Sequence, residues 1–311
     1  MSDRLLPSGQ WLKDHLSTCW VGKSEIVYEE EIPSTNTLLK ELARQGAPAG
    51  TVAVCDFQSA GRGRLQRVWK AAAGETLPVS LLLKPRLTPE QIPLCTLGAA
   101  VAASQAIEQV CPGLKAGIKW PNDVVISGRK CVGILCEGAF DPEGRLCVIM
   151  GVGFNGNQRE FPPELSASAT SLFLEKQRCD PAAAPVVLRE LLAAFLEAVE
   201  RVIDRLEAGG LPAILPEYRA RSVTIGSTVR VIAPTEEYIG QAEGMDDAGA
   251  LLVRDASGSL RVVVCGDVSV RGLMGYTQGQ CPWTPDRAHR ARGRSRGRRL
   301  AGVLPPWHNR C

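Results

Sequence analysis

Hydrophobic positions along the chain fall into two periodicities. Leu38, Leu39 and Leu42 share one face of a helix entered through Pro33, with Ser34 or Thr35 as its cap and Gly46 as its stop. Residues Val186 to Leu206 keep an amphipathic helical pattern over a longer stretch. Thr88-Pro89-Glu90-Gln91 marks a further helix start: a cap, a proline at the first position, and a glutamine three residues after the cap. Between these lie short apolar runs that predict strands. Thr51 to Phe57 is one; Leu77 to Leu83 is another, where Pro78 argues for an edge or a bulge. From Gly117 onward Ile118–Trp120, Asp123–Ile126, Lys130–Cys136 and Leu146–Val152 read as strands, with Ser127-Gly128 as a tight hairpin. After Tyr218 the composition shifts. Residues 226–271 alternate in short strands broken by Asp246-Asp247-Ala248-Gly249 and Ser257-Gly258, the pattern of a small β-barrel or SH3-like module. The expected fold class is α+β, with a first domain over residues 1–220, a small β domain over 221–275 and a basic tail over 276–311.

Composition narrows this picture in three ways. At 311 residues the chain can bury a substantial core, and its apolar runs are too short to cross a bilayer. Eleven cysteines are scattered singly, without a C-x-x-C pair, which suits reduced thiols and a cytoplasmic location. The net charge of +3 is uneven: Pro282–Cys311 holds eight arginines against Asp286, so residues 1–281 are at −4. The body therefore has no nucleic-acid footprint, and the Arg/Gly/Pro tail reads as a disordered appendage.

Histidine is nearly absent. His15 lies in the body and His289 and His308 in the tail, so neither a Ser-His-Asp triad nor a histidine metal site is expected. Chemistry must then rest on arginine, lysine, asparagine and backbone amides, a profile suited to acyl or nucleotidyl transfer. Gln58-Ser-Ala-Gly-Arg-Gly-Arg64 offers two forked cations on a backbone that a ligand can approach closely, but it also fits a solvated basic turn. Trp69 is either a core anchor or a stacking platform. Lys119-Trp120-Pro121-Asn122-Asp123 is a β-turn by default, and the 127–128 hairpin folds Lys130 back toward it. Asn155 follows Gly151-Val152-Gly153, which by itself makes no dinucleotide fingerprint.

The order of these segments is more specific than any one of them. Ser34-Thr35-Asn36, Gln58 with Gly61-Arg62-Gly63-Arg64 and Trp69, Lys119 to Asp123, Arg129-Lys130 with Gly133-Ile134-Leu135 and Glu137, Gly151 to Asn155, Ala169 to Leu172, and Gly266 to Ser269 together closely resemble a biotin–protein ligase over residues 15–272. The resemblance implies a mixed-sheet catalytic domain of the biotin/lipoate ligase type with a C-terminal SH3-like β-barrel. It implies an enzyme that joins biotin to ATP, with Mg²⁺, as biotinyl-5′-adenylate. The biotinyl group then passes to a lysine of a biotin carboxyl carrier protein. By the same resemblance Ser34, Thr35, Asn36, Gln58 and Gly63 bind biotin, and Arg62, Arg64 and Lys130 bind it and carry the catalysis. Trp69, Lys119, Asn122, Asp123 and Asn155 bind the nucleotide, and Asp123 is the Mg²⁺ candidate. A homodimer formed through the sheet fits the family as well.

Some departures qualify these expectations. Gln66 stands where the family's loop has a glycine, and Pro78 where it has an apolar strand residue. About thirty residues precede Ser34 without a bihelical pattern, so no operator DNA is expected. The alternatives are a lipoate or octanoyl ligase, a biotin-binding protein with impaired ligation, and a nucleic-acid binder driven by the tail.

Overall fold

A computed structural model describes residues 9–64, 69, 73–232, 236–264 and 267–270. The tail over 276–311 and Gln66 lie outside the described residues. The body opens with a short helix, α1 (Gly9–His15), and the edge strand β1 (Ile26–Ile32). Then follow α2 (Thr35–Arg44), β2 (Val52–Gln58) and β3 (Thr76–Leu83). Next come α3 (Leu94–Val110), β4 (Gly117–Lys119), β5 (Asp123–Ile126), β6 (Arg129–Phe140) and β7 (Leu146–Asn155). The seven strands form one mixed sheet in the order β1-β2-β3-β7-β6-β5-β4. Only the β1–β2 pair is parallel.

The two faces of this sheet follow from the period-2 alternation of its strands. Val52, Val54, Leu81, Leu83, Val148 and Met150 enter the large core, which α3 and the long helix α6 (Leu188–Gly209) cover. The intervening Ala53, Leu82, Cys147 and Ile149 turn the other way and pack with Leu39 and Ala43 of α2. That helix forms because Leu39 and Ala43 stand four residues apart on one face, while the extended backbone of Ser34 starts it and Gly46, at φ +90°, ends its turn. The Thr88 signal is realised as a capped 3-10 turn over Pro89–Gln91 that leads into α3.

One expectation about β3 needs correction. The strand lies inside the sheet, between β2 and β7, and is buried along its length. Pro78 is tolerated because β2 pairs with β3 only at Val79, Ser80 and Leu81; at Pro78 the strand meets Gly153 of β7 alone. The missing N–H therefore costs no ladder bond on the β2 side.

The remaining helices are α4 (Pro163–Ser166), α5 (Leu172–Cys179) and α7 (Leu215–Arg221). Beyond them β8 (Thr228–Ile232), β9 (Glu237–Met245), β10 (Leu251–Asp255), β11 (Leu260–Val263) and β12 (Asp267–Val270) pair antiparallel in the order β11-β10-β9-β8-β12. Among the described residues no β11–β12 pairing closes this sheet into the expected barrel. Trp120 ties it to the first sheet: its backbone N–H donates to Thr224 Oγ1 and its indole N–H to the carbonyl of Gly249, each at 3.0 Å. No helix among the described residues is long and apolar enough to cross a membrane.

Candidate active site

The α2 side of the sheet changes character beyond the N-terminal end of that helix. Continuing the same alternation, Leu82 gives way to Ser80 on β3, Ile149 to Gly151 and Gly153 on β7, and Ala139 to Glu137, Leu135 and Gly133 on β6. Large apolar side chains thin out beyond the helix end, leaving a pocket floored largely by glycine backbone. Its walls include Ser34, Thr35, Asn36, Gln58, Arg62, Gly63, Arg64, Trp69, Asn122 and Lys130. Ten of the sequence candidates therefore meet in one place.

At the helix end of the pocket the polar groups form a closed set of bonds. Gln58 Oε1 accepts from the backbone N–H of Thr35 at 2.8 Å and from its hydroxyl at 3.1 Å. Ser80 Oγ lies 2.7 Å from Thr35 Oγ1 and 2.6 Å from Asn36 Oδ1. Asn36 Nδ2 donates to the carbonyl of Leu135 at 3.2 Å and to Glu137 Oε2 at 2.8 Å. The other oxygen of Glu137 accepts from Lys40 Nζ at 2.6 Å and from the Arg62 guanidinium at 3.0 Å. Burial pushes the Glu137 carboxyl up, but hydrogen bonds from Lys40 and Asn36 and the charges of Lys40 and Arg62 outweigh it and leave the group below its usual value.

The other end of the pocket carries Arg64, Asn122 and Lys130. Arg64 donates to Asn122 Oδ1 at 2.9 Å, and Asn122 Nδ2 donates to the carbonyl of Ile134 at 3.0 Å. Lys130 Nζ is 2.6 Å from Asp123 Oδ1 and 5.7 Å from the centre of the Trp69 ring. The indole rests on the sheet where Gly133 faces Gly153: a Cβ at Gly153 would lie 2.8 Å from the ring, and one at Gly133 2.7 Å. The backbone N–H of Trp69 donates to the carbonyl of Gly61 at 2.9 Å, which closes the base of the loop. The indole Nε1 is buried without a hydrogen-bond partner among the described residues.

Three candidates sit behind the pocket rather than in its wall. Lys119 is buried on β4 opposite Asp123, and Asp123 reaches the site only through Lys130. Asn155 is buried at the end of β7, where its Nδ2 donates to the carbonyl of Thr170 at 3.1 Å and its Oδ1 accepts from Gln158 at 2.9 Å. Thr170 in turn donates its N–H to the carbonyl of Lys130, and the Lys130 N–H donates to Ser168, so Asn155 braces the backbone that presents Lys130. No group of three or more His, Cys, Asp or Glu side chains that could hold a metal is present among the described residues. Asp123, already bonded to Lys130, does not by itself make a donor set for Mg²⁺.

Sequence reasoning did not single out Ser80, and it named Glu137 only as part of the motif that begins at Arg129, without a role in the site. Their signal was nevertheless visible: Ser80 is the lone polar residue of the apolar stretch 77–83, and Glu137 the lone charged residue of the stretch 131–140.

The chain resembles known proteins over both of its sheets. Residues 28–155 match the biotin/lipoate A/B protein ligase family, and residues 224–271 match the biotin protein ligase C terminal domain. The chain is 37% identical over 240 residues to the bifunctional ligase/repressor BirA of Bacillus spizizenii, covering 76% of this chain and 71% of that one. It is 35% identical over 275 residues to the biotin–[acetyl-CoA-carboxylase] ligase of Mycobacterium tuberculosis, covering 86% and 97%. Among solved structures, a biotin protein ligase from Aquifex aeolicus in complex with biotin and ATP superposes with a TM-score of 0.67 at 26% identity, covering 79% of this chain and 98% of that one.

Proposed function

The chain belongs to the biotin protein ligase family, and from that premise we propose how its pocket performs the ligation. A biotin carboxylate oxygen attacks the α-phosphorus of ATP, pyrophosphate leaves, and the product is biotinyl-5′-adenylate. A lysine amine of a biotin carboxyl carrier protein then attacks the acyl carbon, and AMP leaves. Both partners of the first step are anionic, so the encounter needs fixed cations where they meet. The observation that carries the assignment is the grouping of Arg62, Arg64 and Lys130 around one glycine-floored pocket, with the Ser34-Thr35-Asn36-Gln58 cluster at its closed end.

In this reading the polar cluster takes the biotin ring system, and Gly133, Gly151 and Gly153 leave room for its chain. Arg64 and Lys130 face the carboxylate and the phosphate. Trp69 and Asn122 serve the nucleotide. Lys119, Asp123 and Asn155 act from behind, Asp123 by holding Lys130 and Asn155 by bracing its backbone. The Trp69 indole now occupies floor space that the ligands need, and its N–H has no partner among the described residues that leaving would break. Mg²⁺ enters as a companion of ATP, whose phosphates supply the oxygen ligands it prefers.

Isotope exchange between pyrophosphate and ATP tests the first step. Exchange that requires biotin is expected; exchange without biotin, or with lipoate in its place, would overturn the assignment. Transfer is tested separately by mass spectrometry of a carrier domain, which should gain one biotinyl group at its lysine.

A further inference from the structure

We propose that Glu137 is a positioning residue of the biotin subsite, fixing the Asn36 amide so that it can only accept a hydrogen bond from the bound ring system. The inference rests on the biotin reading of the pocket and goes beyond it to what sets the subsite's selectivity.

The argument is one of donors and acceptors. Both hydrogens of Asn36 Nδ2 are taken, one by the Leu135 carbonyl and one by Glu137 Oε2. Asn36 Oδ1 faces Ser80 Oγ at 2.6 Å. Turning the amide over would set its oxygen against a carbonyl and an ionised carboxylate, both of which repel it. The orientation shown is therefore imposed, and Glu137 supplies its charged half. Oδ1 keeps a second lone pair for a ligand, and a ligand that meets it must bring an N–H or O–H. A cyclic urea has that N–H; a dithiolane ring does not.

Glu137 is itself secured from two directions. Lys40 reaches it from α2 and Arg62 from the loop, both on Oε1, which leaves Oε2 for Asn36. Its side chain is only 15% exposed, so the interaction with Asn36 is not exchanged freely for water. The two cations keep the carboxylate ionised, and the ionised form offers Asn36 no competing donor. Glu137→Gln removes this exclusivity, because its own amide can present either oxygen or nitrogen to Asn36.

Calorimetry of the full chain with biotin and with lipoate, on wild type, Glu137→Gln, Asn36→Asp and the double variant, tests the proposal. Glu137→Gln is expected to weaken biotin by about tenfold, as for loss of one charge-assisted hydrogen bond, and to leave lipoate binding and the KM for ATP unchanged. Asn36→Asp sets two carboxylates against each other and weakens biotin further. Adding Glu137→Gln to it exchanges the acid and amide roles, so the double variant should bind biotin more tightly than Asn36→Asp alone. A residue that merely maintained the fold would show no such recovery. Wild type that fails to bind biotin would overturn the biotin reading and this inference together. Wild type that binds biotin, with Glu137→Gln unchanged or the double variant no better than Asn36→Asp, would overturn this inference alone. Should Glu137→Gln fold poorly by near-ultraviolet circular dichroism, the comparison of Asn36→Asp with the double variant still decides.

Discussion

Gly151→Ala is the smallest perturbation that separates pocket architecture from catalytic charge. A Cβ at this position would lie 2.2 Å from Asn36 Oδ1, with Asn36 Cγ at 2.8 Å and Nδ2 at 2.9 Å. Ordinary contact needs about 3.4 Å or more, so the amide must retreat by roughly 1 Å. The side chain cannot do this and keep its bonds at 2.6 Å to Ser80, 2.8 Å to Glu137 and 3.2 Å to Leu135. The bond to the carboxylate is worth about 1.5–3 kcal/mol and each of the others about 0.5–1.5 kcal/mol, while water entering the open pocket returns part of that. A loss of about 1–3 kcal/mol in unfolding free energy is therefore expected. Biotin affinity should fall more than stability does, by about tenfold to a hundredfold, because Asn36 no longer stands where the ligand meets it. The charged end of the pocket is untouched, so the kcat of adenylation at saturating biotin should stay within about threefold of wild type. Denaturant melts, biotin calorimetry and pyrophosphate exchange read the three quantities separately. A variant with unchanged biotin affinity would refute the assignment of this end of the pocket to the ring system.

Other perturbations reach different parts of the molecule. Lys130→Ala should lower adenylate synthesis by about a hundredfold or more at saturating substrates, read by pyrophosphate exchange, with biotin affinity changed much less. Trp120→Phe deprives the buried Gly249 carbonyl of its indole donor and should cost about 1–3 kcal/mol in thermal unfolding, without a matching loss of biotin affinity. Glu200 is buried and accepts from the backbone N–H groups of Cys19, Trp20 and Val21; burial raises its pKa, but these bonds and Lys23 outweigh it and leave it lowered. A lowered native pKa means stability present above the ordinary value of 4.5 and lost as pH falls through the native one. Glu200→Gln should therefore be less stable than wild type at pH 7, with the gap closing in acid melts; a gap independent of pH would refute the account.

What could be read from the sequence was a set of turns and chain ends, because those segments carry their chemistry in short polar runs. Ser34-Thr35-Asn36, Arg62 to Arg64 and Lys130 line one pocket, and the α+β assignment holds. What could not be read was which face of a strand each residue takes once bulges and chain ends intervene. Lys119 and Asn155 show the difficulty: both carry groups suited to a nucleotide, and both are turned into the protein behind the wall. Their positions depend on where β4 and β7 end and on the added pairing of Lys130 with residue 169, none of which is a local property of the chain. Ser80 and Glu137 fail for the opposite reason. Each sits inside a strand whose pattern argues for burial, and burial of a polar group becomes meaningful only when its partners are known.

The partners then explain why the loop sequence matters beyond its positive charge. Arg62 and Arg64 are not two equivalent cations, since one ends on Glu137 beside Asn36 and the other on Asn122 beside Lys130. The segment 62–64 is thus fastened on either side by groups that belong to the site. Ligand binding must exchange at least one of these fastenings for contacts to substrate, and Arg64 is the cheaper to release, because a neutral amide holds it where a carboxylate holds Arg62. Arg64→Ala should accordingly affect the retention of adenylate more than the affinity for biotin, and Arg62→Ala the reverse. Adenylate dissociation rates and biotin calorimetry on the two variants read that contrast directly; equal effects in both assays would show that the loop acts as undifferentiated charge.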